Sequence, residues 1–189
     1  MKHLNLAVSI LFLLCASASA FAQNPRDGVD GTILLGRQYS FILKEPAGWV
    51  IDGSIAKSQD LDAVLYREGS SWKEAVAVMY ARVIRKDQKK PTIESVITDD
   101  VNDFLKQNRE SKVSESPVLE TRDKKSAIVK GFYDATNKNY ELVAFIDEPK
   151  VVVILALSSR NKDEFEKSLS AFKALVGSYF FVKELVQAR

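Results

Sequence analysis

Apolar positions in this chain fall into two periods. Residues 151–157 (VVVILAL) are seven consecutive apolar residues, which predicts a strand buried on both faces and central in its sheet. The run is far too short to span a membrane. Residues 75–85 (AVAVMYARVIR) read the same way. One face carries Val76, Val78, Tyr80 and Ile84, and the other carries Ala75, Ala77, Met79, Ala81 and Val83. The small alanines would let a helix approach closely. Antiparallel sheets often leave one face to water, so strands apolar on both sides argue for helices on both faces.

Two segments carry the helical period. In 92–108 the apolar positions are Ile93, Val96, Ile97, Val101, Phe104 and Leu105, with Thr92 as the expected cap and Glu94 in the first turn. In 162–179 the stripe is Phe165, Leu169, Phe172, Leu175, Val176 and Tyr179. Asn161 and Glu164 have capping-box spacing there, and Gly177 is expected to mark the frayed end. Strands are expected at 118–121, 127–133, 140–146 and 151–157. The short polar links between them imply antiparallel hairpins. Earlier in the chain, 33–35, 39–43, 49–52 and 63–66 read as short strands, with a turn at 68–71. Pro46-Ala47-Gly48-Trp49 reads as a turn, with Gly48 supplying a left-handed residue and Trp49 opening the returning strand. The expected fold class is α+β: one antiparallel β-sheet flanked by helices on both faces, an α/β/α sandwich.

Composition changes this picture at the N-terminus. Lys2, an apolar stretch through Ala16, and an A-x-A site at Ala20-Phe21-Ala22 have the grammar of a secretory signal peptide. The expected organisation is a signal peptide at 1–22, a lead-in segment at 23–38 and a single domain at 39–189. Cleavage between Ala22 and Gln23 would place the mature protein in the bacterial periplasm or outside the cell, with no stable membrane insertion. Leu14 before Cys15 is not the small residue a lipobox wants. Taking 22 residues from 189 leaves 167, enough for a sizeable core. It also removes His3 and Cys15, the only His and the only Cys. A mature chain without them has no disulfide, no Cys/His zinc site, no thiol nucleophile and no histidine base.

Charge adds little. The full chain carries +2, with 27 Lys and Arg against 25 Asp and Glu. That balance gives no reason to expect nucleic acid. Arg82, Arg85, Lys86, Lys89 and Lys90 form one basic cluster and Lys124-Lys125 another, both read as solvated charges at turns. Asp99, Asp100 and Asp103 form the densest acidic cluster, on the polar side of the first helix. It lacks the loop spacing and glycine of an EF-hand. Asp60, Asp62 and Asp147-Glu148 read as turn acids. Ser70, Ser71 and Lys73 lack the partners of a Ser–Lys hydrolase. No phosphate-binding, dinucleotide or nucleophile-elbow motif occurs. Trp72, Tyr80, Phe132, Tyr133, Tyr140, Phe145, Tyr179, Phe180 and Phe181 read mainly as core, with Phe181-Val182 returning to a sheet edge. No residue is assigned as catalytic, cofactor-binding or metal-ligating, and no cofactor is expected.

The chain resembles the PsbP-like superfamily, which includes the bacterial DcrB-type envelope proteins and the Mog-type factors. The resemblance rests on Tyr39-Ser40-Phe41 leading to Pro46-Ala47-Gly48-Trp49, the apolar strand at 75–84 and the helix at 92–108. It closes with the strand at 151–157 and a helix carrying Phe165 and Phe172 that ends at Ser178-Tyr179-Phe180. It implies an α/β/α sandwich and a mainly non-catalytic role in binding or stabilising protein partners. The expected function is therefore an exported, non-catalytic accessory or protein-interaction module of the bacterial envelope. A carrier of a small apolar ligand and a carboxylate-based hydrolase are the alternatives.

Overall fold

The computed structural model describes residues 30–36, 39–107 and 110–182. The expected signal peptide lies outside them. In chain order the elements are β1 (Thr32–Leu35), β2 (Ser40–Leu43), β3 (Trp49–Ile51), α1 (Gly53–Ser58), β4 (Ala63–Arg67), β5 (Ala77–Arg85), α2 (Ile93–Gln107), β6 (Lys112–Glu120), β7 (Ser126–Asp134), β8 (Asn139–Asp147), β9 (Val151–Ser159), α3 (Lys162–Ser178) and β10 (Phe180–Val182). The class is α+β, with antiparallel pairing throughout.

The strands form two sheets rather than one. A seven-stranded sheet has the order β3-β4-β5-β9-β8-β7-β6, and a three-stranded sheet the order β1-β2-β10. The expected meander holds: β6 to β9 follow one another across half of the large sheet. β9 is its fourth strand, with three on each side, as its apolar run requires. Consecutive residues of β9 enter different clusters. Val151, Val153, Leu155 and Leu157 pack with Phe172, Leu175 and Val176 of α3. Val152, Ile154 and Ala156 pack with Ile93, Val96 and Ile97 of α2. Ala77, Met79 and Ala81 of β5 belong to the α3 cluster, so its small residues do lie under a helix.

The split into two sheets corrects the single-sheet expectation, and the Pro46–Trp49 segment is its cause. Trp49 N–H donates to the Pro46 carbonyl at 3.0 Å, closing a four-residue turn in which Gly48 is third, with φ +73°. The turn does not join two strands of a hairpin. β2 pairs with β1 and β10, and β3 pairs with β4, so the turn carries the chain between sheets. Trp49 is 4% exposed in the main core with Arg67 over its ring, anchoring the far side. A Cβ on Gly48 would meet nothing within 4 Å. Gly48→Ala should therefore cost only the backbone strain of a left-handed residue, about 1–2 kcal/mol by thermal denaturation. A neutral result would mean that the turn relaxes.

Both long helices start as their sequences ask. Thr92 Oγ1 accepts from Ser95 N–H, and Ser95 Oγ accepts from Thr92 N–H, each at 3.3 Å. Asn161 Oδ1 accepts from Glu164 N–H at 3.0 Å, which is half of the expected capping box; Asn161 N–H donates instead to Ser159 Oγ at 3.0 Å, and Glu164 Oε1 accepts from Lys167 Nζ. Gly177 does not stop α3. The helix runs through it to Ser178, whose hydroxyl donates to the Leu175 carbonyl and accepts from Lys44 N–H. After Tyr179 the chain returns, and Phe181 and Val182 pair with β2 opposite Phe41 and Ser40. α1 was not expected. Asp52 builds it by accepting from Ser54 and Ile55 N–H, both at 3.0 Å, and the Ile55 N–H bond, with those from the Ser54 and Tyr66 hydroxyls, holds its carboxyl down to about 2.

β6 was expected only at 118–121 but runs Lys112–Glu120. It is the edge of the large sheet, its first half reads KVSES, and it is interrupted by an irregularity between Ser116 and Leu119, at Pro117. Edge strands need no apolar alternation, so periodicity does not report them.

Candidate functional site

Concave regions among the described residues of the large sheet include one beside α3 and one beneath α2. The first is a groove of 580 Å³ between α3 and the β6–β7–β8 edge. Strand register explains its floor. Lys112, Ser114 and Ser116 of β6 stand opposite Tyr133, Gly131 and Val129 of β7, and Tyr140 and Leu142 of β8 continue the same face. Phe165, Leu169 and Lys173 of α3 form the wall. Tyr133, Tyr140 and Phe165 make a continuous aromatic run, with centroid separations of 4.9 and 5.8 Å. Leu119, Leu142, Phe165 and Leu169 are only half-buried, because nothing fills the groove above them.

Gly131 shapes this floor. A Cβ there would meet Ser114 Oγ at 2.7 Å, so any larger residue would push the β6 side chains away. At the rim, Lys112 and Lys173 form no ion pair with a described residue, whereas Lys130 is held by Glu115. The groove is thus apolar within and cationic at its mouth. It also runs along the free edge of β6.

The second region, of 500 Å³, lies against the α2 face of the sheet. Asp100, Asp103, Phe104 and Gln107 line it at i, i+3, i+4 and i+7, one face of a helix. Tyr80 and Arg82 of β5, Phe132 of β7 and Glu141 of β8 come from the sheet, and Trp72 and Leu61 close the rim. Arg82 is ion-paired with Asp100. Glu141 Oε1 accepts from Asn139 Nδ2 and Ser158 Oγ, both at 2.9 Å. Burial raises the Glu141 carboxyl despite these two bonds, and burial with the nearby Glu141 charge raises the Tyr80 hydroxyl.

The residues singled out from sequence are scattered. Asp99, Asp100 and Asp103 do not converge: they pair separately with Lys90, Arg82 and Lys106. Asp100 is not on a solvated face but turned to the cleft. Asp60 is an exposed turn residue, whereas Asp62 accepts a hydrogen bond from the Tyr39 hydroxyl. Ser71 Oγ bonds Glu74 at 3.1 Å, away from Lys73 chemistry. Of the basic cluster, Arg82, Lys86 and Lys90 are ion-paired with Asp100, Asp147 and Asp99. Asp147 is the exposed last residue of β8 and is held by Lys86, while Glu148 is 2% exposed and pairs with Lys125, so neither is the free turn acid expected. Phe145 and Tyr179 are core, while Tyr133 and Tyr140 line the groove and Trp72, Tyr80 and Phe132 the cleft.

Glu141 was missed. Its signal is visible in retrospect: in YELVAFI it alternates with Val143 and Phe145, so a carboxylate takes a position on the buried face. Among the described residues no group of three or more His, Cys, Asp or Glu could hold a metal ion. No helix among them is long and apolar enough to cross a membrane.

No protein-family model and no curated protein matches the chain. Several solved structures match the chain, two of them as follows. The solution structure of PsbP from the cyanobacterium Synechocystis is 12% identical with a TM-score of 0.48, covering 86% of this chain and 99% of that one. A crystal structure from Bacteroides thetaiotaomicron is 10% identical with a TM-score of 0.44, and the match covers 82% of this chain. This chain spans about half, 50%, of the length of that protein.

Proposed function

We propose that this protein is an exported, non-catalytic accessory module of the bacterial envelope that holds an extended segment of a protein partner in the α3 groove. The observation that carries the reading is the coincidence of three features on one edge. Among the described residues the outer edge of β6 has no strand partner, its first half lines the groove, and Lys112 and Lys173 stand at the mouth without ion-pair partners. A segment added to β6 would satisfy that edge through its backbone and turn alternate side chains to the groove face, beside Lys112, Ser114 and Ser116. The unpaired lysines favour acidic residues in the segment. Pro117 and the irregularity at Ser116/Leu119 would limit pairing to the first half of β6. The two clusters fed by alternate residues of β9 support a three-layer sandwich, with α3 on one face of the large sheet and α2 on the other.

The test uses a peptide of alternating valine and aspartate and the full chain, followed by amide NMR. Shifts should concentrate at 112–116, 131–133 and 165–173. Lys112→Glu with Lys173→Glu should weaken binding at least about tenfold, as expected when two attractive charges become repulsive. Shifts spread evenly over the surface, or binding indifferent to the double substitution, would sink the proposal.

A second reading is favoured by the groove's volume and apolar lining: a carrier of a small apolar ligand. Native mass spectrometry of protein purified from its own host separates the two. A stoichiometric bound small molecule displaced by Leu169→Trp supports the carrier, and a clean protein mass supports the partner-binding reading.

A further inference from the structure

The cleft beneath α2 holds a half-buried carboxylate, Glu141, that has no ion-pair partner among the described residues. Both hydrogen bonds to Glu141 land on Oε1, from the neutral groups Asn139 Nδ2 and Ser158 Oγ. Oε2 accepts none, and no Lys or Arg among the described residues forms an ion pair with Glu141. The one guanidinium in the cleft, Arg82, is engaged by Asp100. Asp103 is engaged by Lys106 at 3.1 Å. A carboxylate partly withdrawn from water without an ion-pair partner is costly; burial raises this one, with the Asp100 charge adding to the effect and the Asn139 and Ser158 bonds and the Arg82 charge opposing it.

The rest of the cleft is suited to a cation with an apolar body. Tyr80, Phe104, Phe132 and Trp72 surround the space, and Phe104 meets Phe132 edge to face at 5.0 Å. Aromatic rings attract a cation through their negative faces, and most strongly where water is excluded. The volume of 500 Å³ holds a molecule of about ten to fifteen heavy atoms. We propose that this cleft binds a small organic ammonium ion, its ammonium donating to Glu141 Oε2 and its apolar body packed against the rings. A primary ammonium fits better than a quaternary one, because Oε2 needs a donor. The cleft shares Phe132 and Glu141 with the lining of the α3 groove, whereas Lys112 and Lys173 belong to the groove alone, and the proposal does not rest on what that groove holds.

The test compares 2-phenylethylammonium with its neutral isostere 2-phenylethanol on the full chain, by calorimetry and amide NMR. Saturable binding of the amine is expected, with shifts at Tyr80, Phe104 and Glu141. The alcohol should bind at least about tenfold more weakly, and Glu141→Gln should lower amine affinity by a similar factor, because each removes a charge-assisted hydrogen bond. Gln keeps the Oε1 acceptor, so the variant retains the bonds from Asn139 and Ser158. Should it fail to fold, Trp72→Leu at the rim serves instead, with an expected loss of about threefold for the amine. Lys112→Glu with Lys173→Glu should leave amine binding unchanged. Absence of saturable amine binding, equal affinity for the alcohol, or an unaltered affinity in both cleft variants would overturn the assignment.

Discussion

Phe172→Ala should lower unfolding stability by about 3–5 kcal/mol, the range for removing a buried phenylalanine ring. Phe172 is fully buried near the middle of α3, in the cluster that joins the helix to β9, β5 and the inner face of β2. The cluster draws on both sheets, so no neighbouring side chain is free to collapse into the space. A loss of this size is a large share of the 5–15 kcal/mol typical of a domain. Urea denaturation should show a lower midpoint with an unchanged slope. A loss under about 1 kcal/mol would mean that α3 is loosely docked. Leu169, one turn earlier and half-buried at the groove, is the control: Leu169→Ala should cost about 1 kcal/mol, because less of its surface leaves water on folding. The contrast separates the role of α3 as a lid on the core from its role as the groove wall.

The features legible in sequence are those whose signal is burial. β9, α2 and α3 announce themselves because one period of apolar residues fits one element and no other. The return of Phe181-Val182 to a sheet edge follows from the cost of leaving such residues in water. What escaped was set by edges and by single polar groups. The first half of β6 is exposed on an edge and carries no alternation, so half of the groove floor was invisible. Gly131 sits inside a strand pattern, and only the position of Ser114 across the ladder shows what its missing Cβ allows. Tyr133 and Tyr140 were visible as aromatics, but whether an aromatic lines a core or a groove depends on what lies above it, and the tilt of α3 decides that. Acidic residues were misread for a related reason. Asp147 and Glu148 are adjacent in one turn, yet one is exposed and the other buried, because Tyr179 returns from 31 residues away to meet Glu148. Local sequence does not contain that contact.

Lys125→Met should cost about 2–3 kcal/mol near pH 8 and much less near pH 4. This is below the usual 3–5 kcal/mol for breaking a buried pair, because Lys125 keeps 35% of its side chain exposed. Glu148 is the buried member. Its Oε1 accepts from the Tyr179 hydroxyl at 2.9 Å and its Oε2 is ion-paired with Lys125. Lys125 Nζ also lies 5.4 Å from the centre of the Phe181 ring, so the pair ties the β8–β9 turn to the β6–β7 turn and to the returning β10. Burial raises the Glu148 carboxyl, opposed by the bonds from Lys125 and Tyr179. A carboxyl raised on folding binds its proton more tightly in the native state. Its contribution is complete below the unfolded value of about 4.3 and is lost as pH rises through the folded one. Removing Lys125 takes away one opposing interaction, so the folded value climbs and the loss extends to higher pH. Met fills the space of the lysine stem, which keeps packing close to constant. Adding Glu148→Gln to Lys125→Met should recover most of the loss at pH 8, because a neutral amide still accepts from Tyr179 and leaves no buried charge. Chemical denaturation of the unaltered protein, Lys125→Met and the double variant at pH 4 and pH 8 measures this. A loss that does not change with pH, or a double variant no more stable than Lys125→Met, would show that Lys125 acts through packing and not through the charge of Glu148.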